Sequence, residues 1–336
     1  MINFAIIGMG IRGKLFARII NQHKDTQLVA VCDISEKVLE DTSKKYRVRS
    51  YKDFKNLLNK EKLDAVYVAT PDYAHKEPVI LAAERGLHLL IEKPLATSKV
   101  DCLKMKEAIE KAGVKSLVAF NNRWNANFIR AKEAIDAGEL GKVISMNVRA
   151  VDTLYVPTKM LNWAGKTTPA WFLLSHALDL ALWLTGKMAQ SVYAKGIKGK
   201  LTEMGIDTYD HMHVNVEYQD GVLGFFEAGW ILPDTMPSLV DHQWEIIGNE
   251  GVFYVNQHEQ MVRKATKEKY SFPTTISEIN IHGTSSGREL LIFNSFLRSI
   301  KEDLEPVVKL DEALEVTKIL EGLHVSIKEG KPIKIS

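Results

Sequence analysis

Three glycines near the start of the chain have the spacing of a phosphate-binding turn. Gly8, Gly10 and Gly13 follow the apolar run 4–7, which is typical of a buried strand, and lead into an apolar helical pattern. In this order the first glycine allows a tight turn, the second lets the backbone approach a pyrophosphate, and the third lets the helix pack against the strand. Because N–H groups and the dipole at a helix start favour negative charge, the motif predicts a dinucleotide site.

An acidic residue follows this turn at the distance that such a site requires. Asp33 ends a second apolar run, 28–32, about twenty residues after Gly13. Its carboxylate would accept hydrogen bonds from the ribose hydroxyls of NAD and would repel the 2′-phosphate of NADP. We therefore expect NAD, while Arg12 and Lys37 leave NADP as an alternative. The alternative interpretation needs no ligand: an ordinary glycine turn is followed by a surface aspartate.

A lysine at another strand end could take part in proton transfer. Lys93 stands between Glu92 and Pro94, directly after the apolar run 88–91. Pro94 disfavours helical geometry at Lys93 and permits a cis peptide bond. A lysine at this strand end would project into the crevice where parallel sheets bind ligands. The alternative is an ordinary surface lysine before a helix.

A histidine and an aspartate share one face of an otherwise apolar helix. The helix is predicted to begin at Thr168 and Pro169 and to end at Gly186. His176 and Asp179 lie three positions apart within it, so they face the same side. A polar pair in such a helix must find partners or face a cleft. The pair is therefore either an acid–base group or a structural contact in the core.

The elements that position these residues alternate between strand and helix up to about residue 120. Strands are predicted at 3–7, 28–32, 65–69, 88–91 and 116–119, with a short one near 48–51. Helices are predicted at 15–21, 36–45, 53–59, 76–85 and 99–112. This alternation predicts a doubly wound parallel sheet of the Rossmann type over residues 1–120, with ligands at the carboxyl ends of its strands.

From residue 121 the pattern changes to longer consecutive strands. Helices are predicted at 128–137, 288–301 and 311–328, and residues 155–167 are predicted to form a loop. Strands are predicted at 143–151, 191–197, 210–217, 222–228, 243–247, 251–255 and 331–335. Hairpin-type turns at 219–221 and 248–251 favour antiparallel pairing. We therefore expect a second α/β domain over residues 121–336 with a large open, mostly antiparallel sheet.

The composition sets limits on the class of protein. The 336 residues are 46% hydrophobic and 26% charged, which is typical of a soluble globular protein. The net charge of +2 predicts neither a nucleic-acid nor a membrane partner. Two distant cysteines, Cys32 and Cys102, give neither a disulfide framework nor a zinc spacing, so no metal is predicted. With no secretory signal pattern at the start, we expect a cytoplasmic location.

These motifs together resemble the Gfo/Idh/MocA family of NAD(P)-dependent oxidoreductases. The resemblance rests on the glycine turn, Asp33, the tetrapeptide 69–72, the tripeptide 92–94 and the helix around His176. It implies hydride transfer between nicotinamide and a hydroxyl or ketone of a sugar, polyol or sugar derivative. It also implies self-association as a homodimer or homotetramer through the second sheet. The alternatives are an NAD-binding regulatory protein without turnover and a lyase or glycosidase that uses NAD transiently.

The resemblance implies roles for individual residues. Lys93 and His176 are the expected acid–base groups, and Asp179 is expected to orient His176 or to be structural. The expected cofactor contacts are Gly8, Gly10, Ile11, Arg12, Gly13, Asp33, Thr70, Pro71, His75, Glu92 and Lys93. Expected substrate contacts are Asn122, Arg123, Tyr155 and Trp163. Many polyol-oxidising relatives carry an aspartate four residues before the histidine, where this chain has Phe172, so the proton-transfer arrangement differs here.

Overall fold

A computed structural model describes residues 1–277 and 279–335 of the chain. In chain order its strands are β1 Ile2–Ile7, β2 Thr26–Cys32, β3 Arg49–Tyr51, β4 Ala65–Val68, β5 His88–Ile91, β6 Ser116–Val118, β7 Val143–Thr153, β8 Ala189–Ile197, β9 His211–Tyr218, β10 Leu223–Leu232, β11 Val240–Gly248, β12 Val252–Asn256, β13 Lys264–Ala265, β14 Tyr270–Ser271, β15 Ile279–Ile281, β16 Thr284–Ser286 and β17 Ile333–Lys334. Its α-helices are α1 Ile11–Gln22, α2 Glu36–Tyr46, α3 Phe54–Lys60, α4 Lys76–Ala83, α5 Lys99–Ala112, α6 Ala126–Asp136, α7 Ser175–Thr185, α8 Lys200–Glu203, α9 Arg288–Lys301 and α10 Leu310–Glu329.

The chain divides into two compact units. The first contains Met1–Phe120 and Ser277–Leu314, and the second contains Asn121–Ile276 and Glu315–Ser336. The sequence pattern had assigned residues 277–314 to the second domain, whereas in the structure they complete the first unit. The physical reason is apolar packing, because Phe293 on α9 lies 5.5 Å from Phe4 on β1, ring centroid to ring centroid.

The first unit is built on a six-stranded parallel sheet with the strand order β3-β2-β1-β4-β5-β6. Its central strands are buried on both faces, as the continuous apolar runs of β1 and β4 predict. The reversal of strand order beside β1 brings the carboxyl ends of β1 and β4 together. Loops that carry the glycine turn and Thr70 therefore meet at the edge of the sheet where ligands bind. The predicted Rossmann fold is confirmed.

The second unit is built on a seven-stranded mixed sheet with the order β12-β11-β7-β10-β9-β8-β17. Within it β7 and β10 pair in parallel, and the other described neighbours pair antiparallel. Residues alternate between buried and accessible along its strands, as in β9, where Met212, Val214 and Val216 are buried. One face of the sheet therefore faces the core of the unit, and the other is open. The predicted open, mostly antiparallel sheet is confirmed.

Some local structure departs from the sequence-based prediction. The predicted loop at 155–167 contains a π-helical turn, Val156–Met160, and a second π-helical turn, Ala170–Leu174, precedes α7. The short hairpins β13–β14 and β15–β16 were not predicted, because strands of two or three residues carry almost no periodicity. In the ranges that the structure describes, none of the helices is both long enough and apolar enough to cross a bilayer.

Candidate functional site

Two of the three glycines in the β1–α1 turn are required by the chain itself. Gly8 has a φ of +97°, and a Cβ there would lie 2.4 Å from the carbonyl oxygen of Ala69. A Cβ on Gly13 would lie 2.0 Å from the carbonyl oxygen of Gly8. Real Cβ atoms do not approach an oxygen so closely, so these two glycines allow β1, α1 and the end of β4 to pack together.

The third glycine leaves space that the described residues do not fill. A Cβ on Gly10 would meet no atom within 4 Å, and Gly10 is the N-cap of α1 without a side-chain hydrogen bond to the helix. The first N–H groups of a helix have no partner within it and attract anions. The open space beside this helix start is compatible with the diphosphate of a dinucleotide.

Asp33 is fixed beside this turn by the backbone. Its Oδ2 accepts a hydrogen bond from the N–H of Met9 at 2.7 Å, and its Oδ1 accepts one from the N–H of Ser35 at 2.9 Å. A carboxylate oxygen can accept more than one hydrogen bond, so both oxygens keep capacity for hydroxyl donors. The carboxylate thus lies at the edge of the phosphate-binding turn, as a ribose contact requires, although its predicted contact with ribose stays a prediction.

Arg12 belongs to a network of ion pairs within the first unit. Its Nε lies 2.7 Å from Oε1 of Glu92, and its Nη1 lies 3.3 Å from Oε1 of Glu289. The hydroxyl of Tyr67 also donates to Glu92. Burial alone would raise the pKa of Glu92, but Arg12 and Tyr67 more than offset it, so the pKa lies below the usual value. Nε and Nη1 of Arg12 are therefore taken up by these carboxylates, whereas its Nη2 has no hydrogen-bond partner among the described residues.

The sequence did not identify two members of this network. Tyr67 could have been found, because a hydroxyl inside the wholly buried strand β4 must have a partner. Glu289 gave no signal, since an acidic residue in the first turn of α9 is ordinary helix chemistry.

His75 connects the loops at the ends of β4 and β5. Its ring is 1% exposed, with Nδ1 2.9 Å from the carbonyl oxygen of Pro94 and Nε2 3.0 Å from that of Thr70. Lys93 is half-buried between Glu92 and Pro94, and the Lys93–Pro94 peptide bond is cis. His75 therefore positions the two loops in which the predicted cofactor contacts Thr70, Pro71 and Lys93 lie, rather than presenting its own ring to solvent.

Asp179 forms a buried ion pair in the second unit. Both of its oxygens accept from Arg123, at 2.6 Å from Nη2 and 3.0 Å from Nε, and both side chains are at most 1% exposed. This contact ties α7 to the short 3-10 turn Asn121–Trp124, in which Asn122 is also buried. Two residues predicted for different roles, catalysis and substrate binding, are thus partners of each other.

His176 lies in the first turn of α7 and is half-buried. In a regular α-helix, residues four positions apart lie about one turn apart. The π-helical turn before α7 departs from this geometry, so Phe172 and His176 are not placed as they would be in a regular helix. Phe172 contacts Trp163 and Trp230 at centroid distances of 6.4 and 5.8 Å. The position where relatives carry an aspartate is therefore part of an aromatic cluster.

The other predicted substrate contacts differ in accessibility. Trp163 and Phe172 are partly buried and pack on the core cluster around Val156 and Trp230. Tyr155 is 44% exposed. Its backbone N–H donates to Oδ1 of Asp234, which fixes the start of the first π-helical turn. Trp163 therefore belongs to the aromatic packing of the second unit, whereas the ring of Tyr155 is accessible.

The parallel sheet, the glycine turn with its open helix start and the fixed carboxylate of Asp33 define an NAD-binding protein of the Rossmann class. Models of the Gfo/Idh/MocA oxidoreductase family match nearly the whole chain. The "NAD-binding Rossmann fold" model matches residues 2–120, and the "C-terminal alpha/beta domain" model matches residues 132–335. The chain belongs to this family.

Its similar proteins include dehydrogenases of inositols. The myo-inositol 2-dehydrogenase of Thermotoga maritima is 25% identical over 348 residues, covering 98% of this chain and 97% of that protein. The 2,7-anhydro-N-acetylneuraminate hydratase of Escherichia coli is 28% identical over 244 residues, covering 68% and 62%. The crystal structure of scyllo-inositol dehydrogenase from Lactobacillus casei with NAD(H) and scyllo-inositol has a TM-score of 0.85 at 20% identity, covering 100% and 99%.

These findings confirm the predicted family, the predicted fold of both domains and the prediction of an NAD-dependent oxidoreductase. The roles of the individual site residues stay predictions. Four of these residues also have a structural explanation, because each has a partner within its own unit. They are Arg12, His75, Arg123 and Asp179.

Proposed function

We propose that this protein is a dehydrogenase that oxidises a secondary alcohol of a polyol or sugar with NAD. The observation that carries the proposal is the open space beside Gly10 at the start of α1, next to the fixed carboxylate of Asp33. The substrate class is supported by the similar inositol dehydrogenases, one of which matches this chain over nearly its full length. Inositols are therefore the first substrates to test.

Lys93 and His176 are the residues that we propose for proton transfer. NAD, when bound, supplies the acceptor for the hydride that leaves the alcohol carbon. The hydroxyl proton must leave at the same time, and a neutral imidazole is a suitable acceptor for it. A charged lysine would instead donate a hydrogen bond to the reacting oxygen and stabilise the negative charge that develops there.

Formation of NADH tests this proposal directly. The purified protein is incubated with NAD and, one at a time, with myo-inositol, scyllo-inositol, simple hexoses and nucleotide sugars. Binding of NAD is measured separately by fluorescence. We expect NADH with at least one polyol or sugar. NAD binding without NADH or any other product from the whole panel would instead favour the regulatory alternative.

A second candidate is a reaction that uses NAD transiently without net oxidation. It is favoured by the similarity to an anhydro-N-acetylneuraminate hydratase, at an identity comparable with that of the dehydrogenases. The two candidates differ in stoichiometry. A transient role gives many molecules of product for each NAD with no accumulation of NADH, which mass spectrometry of the product and NADH absorbance measured together would reveal.

We further propose that the open face of the seven-stranded sheet joins copies of this chain in a homodimer or homotetramer. Large apolar side chains are accessible on this face, among them Leu223 and Phe225 on β10 and Tyr254 on β12. Apolar groups that lie together on an open sheet favour contact with a second surface. A cytoplasmic location completes the proposal and rests on the wide spacing of Cys32 and Cys102 in the sequence, which gives no disulfide framework.

A further inference from the structure

Three metal-ligating side chains meet on neighbouring strands of the second unit. His211 and His213 are two residues apart on β9, so they project from the same face of the sheet. Glu227 lies on β10, directly opposite His213 in the antiparallel ladder. One ligand atom of each side chain lies within 4.8 Å of the others. The cluster is separate from the residues proposed for cofactor binding and proton transfer.

The neighbouring strand leaves room for this arrangement. Gly229 stands opposite His211, and a Cβ there would come within 2.3 Å of its Nδ1. Because Gly229 has no side chain, the ring of His211 can lie over β10, where its Nε2 is 2.9 Å from Oε1 of Glu227. The ring centroid of His213 is 5.1 Å from that of His211. Both imidazoles thus lie near one carboxylate, and His211 contacts it directly.

Charged side chains around the cluster orient its carboxylate. Arg149 donates from Nη1 to both oxygens of Glu227, at 2.7 and 2.8 Å, and from Nε to Asp241 at 2.7 Å. These contacts fix the orientation of the Glu227 carboxylate, as outer partners of metal ligands commonly do. One guanidinium faces two carboxylates, so these three side chains carry one net negative charge, and Lys195 on β8 stands opposite His213.

We propose that His211, His213 and Glu227 bind a divalent transition-metal ion, with Zn²⁺ as the best fit. Two imidazoles and one carboxylate form a donor set that zinc uses when its fourth position is left to water or another ligand. Ligand atoms around tetrahedral zinc lie roughly 3.3 Å apart, given bonds of about 2.0–2.2 Å. The ligand atoms lie within 4.8 Å of one another, and the exposed His213 side chain has room to move closer to the other two.

Besides the movement of His213, binding requires a change of tautomer at His211. In the structure its Nε2 faces a carboxylate oxygen and donates to it. With the ring proton on Nδ1 instead, the lone pair of Nε2 is free for the metal, and Glu227 contributes an oxygen while Arg149 holds the carboxylate in place. The ion would join β9 to β10 on the open face of the sheet.

Calorimetry with Zn²⁺ alone tests the proposal on untagged, chelator-treated protein of full length. We expect one strong site in each chain. His213→Gln should weaken it by about 100-fold or more, since a ligand is lost, and Gly229→Ala should weaken it by roughly 10-fold, since the ring of His211 is displaced. His282→Gln removes an exposed imidazole from the first unit and should leave the affinity unchanged.

Two outcomes would overturn the proposal. One is the absence of a strong site in the unaltered protein, and the other is equal affinity in His213→Gln and the unaltered protein. Cobalt(II) gives a second measurement, because a tetrahedral Co²⁺ site absorbs visible light far more strongly than an octahedral one. We expect the tetrahedral spectrum, and we expect His213→Gln to lose it while its circular dichroism stays that of the folded protein.

Discussion

The three glycines of the phosphate-binding turn are not equivalent. At Gly8 and Gly13 a side chain would collide with backbone carbonyl groups, so these two positions are needed for the fold. At Gly10 nothing in the described part of the chain prevents a side chain. Packing therefore does not require a glycine at position 10, and the proposed pyrophosphate contact would account for it.

Substitution of the glycines should separate binding from folding. Gly10→Val should fold normally and lose NAD affinity by roughly 100-fold or more, because the branched side chain occupies the space of the pyrophosphate. Gly13→Ala should lower the stability by about 1–3 kcal/mol through overpacking. Fluorescence titration with NAD and thermal unfolding measure the two effects. A folded Gly10→Val protein with unchanged affinity would place the phosphate site elsewhere.

The acid–base residues should affect turnover rather than cofactor binding. His176→Ala and Lys93→Ala should each lower kcat by roughly 100-fold, because proton transfer or stabilisation of the reacting oxygen is lost. NAD affinity should change little. His282→Ala and Lys104→Ala, which alter exposed side chains, serve as matched controls. Near-normal turnover in His176→Ala would remove this histidine from the mechanism and leave Lys93 or Tyr155 as the proton acceptor.

Asp179 should affect stability more than catalysis. Replacement by asparagine leaves the guanidinium of Arg123 buried without its counter-charge, which costs about 3–5 kcal/mol when a buried pair is broken. We therefore expect a markedly lower melting temperature for Asp179→Asn, with a smaller effect on kcat than His176→Ala has at a temperature where both variants are folded. A stable Asp179→Asn enzyme with a large loss of kcat would instead support the orienting role.

At the scale of whole elements, the first unit depends on a polar network that joins four of them. Arg12 on α1, Glu92 after β5 and Glu289 on α9 are linked by ion pairs, and Tyr67 on β4 donates to the same carboxylate. Glu289 and Glu92 are almost fully buried, so each needs its partner. The network thereby fixes the position of the start of α1 relative to the loop that contains Lys93.

This network should make the stability depend on pH. The pKa of Glu92 is lowered in the folded chain, so its contribution is present above the ordinary value near 4.5 and is lost as the pH falls through the folded value. The melting temperature of the unaltered protein should therefore fall more steeply below about pH 5 than that of the double variant Arg12→Met/Glu92→Leu. Equal slopes for the two proteins would exclude Glu92 as a source of the acid sensitivity.

The elements differ in how well the sequence predicts them, and local signals explain the difference. Helix α5 was predicted at its observed bounds, and in the structure Ser98 caps its start and Gly113, with a φ of +64°, ends it. The π-helical turn before α7 was not predicted, since its apolar pattern merges with that of the helix. The partners of Arg12 and Asp179 were not predictable either, because contacts between residues far apart in sequence depend on packing.

At the scale of the whole chain, residues 277–314 show where sequence reasoning stops. The helix α9 was predicted at its observed bounds, and in the structure it buries an apolar stripe. Such a stripe shows that a helix packs on something, but it does not show which sheet the helix packs on. In the structure Phe293 and Phe296 pack on Phe4 of the parallel sheet, so the first unit is completed by a distant part of the sequence.

Self-association of the chain can be tested on the open face of the second sheet. Leu223 and Phe225 on β10 are 57% and 39% exposed, large values for apolar side chains in a strand. If this face joins two copies, Phe225→Glu places a charge into an apolar contact and should shift the protein to monomer at micromolar concentration. Leu291→Glu is the matched control, because Leu291 is 51% exposed on α9 in the other unit.

Light scattering coupled to size exclusion gives the masses. A dimer or tetramer in the unaltered protein and in Leu291→Glu, but not in Phe225→Glu, is the expected result, whereas a monomer in all three proteins would contradict the proposed assembly.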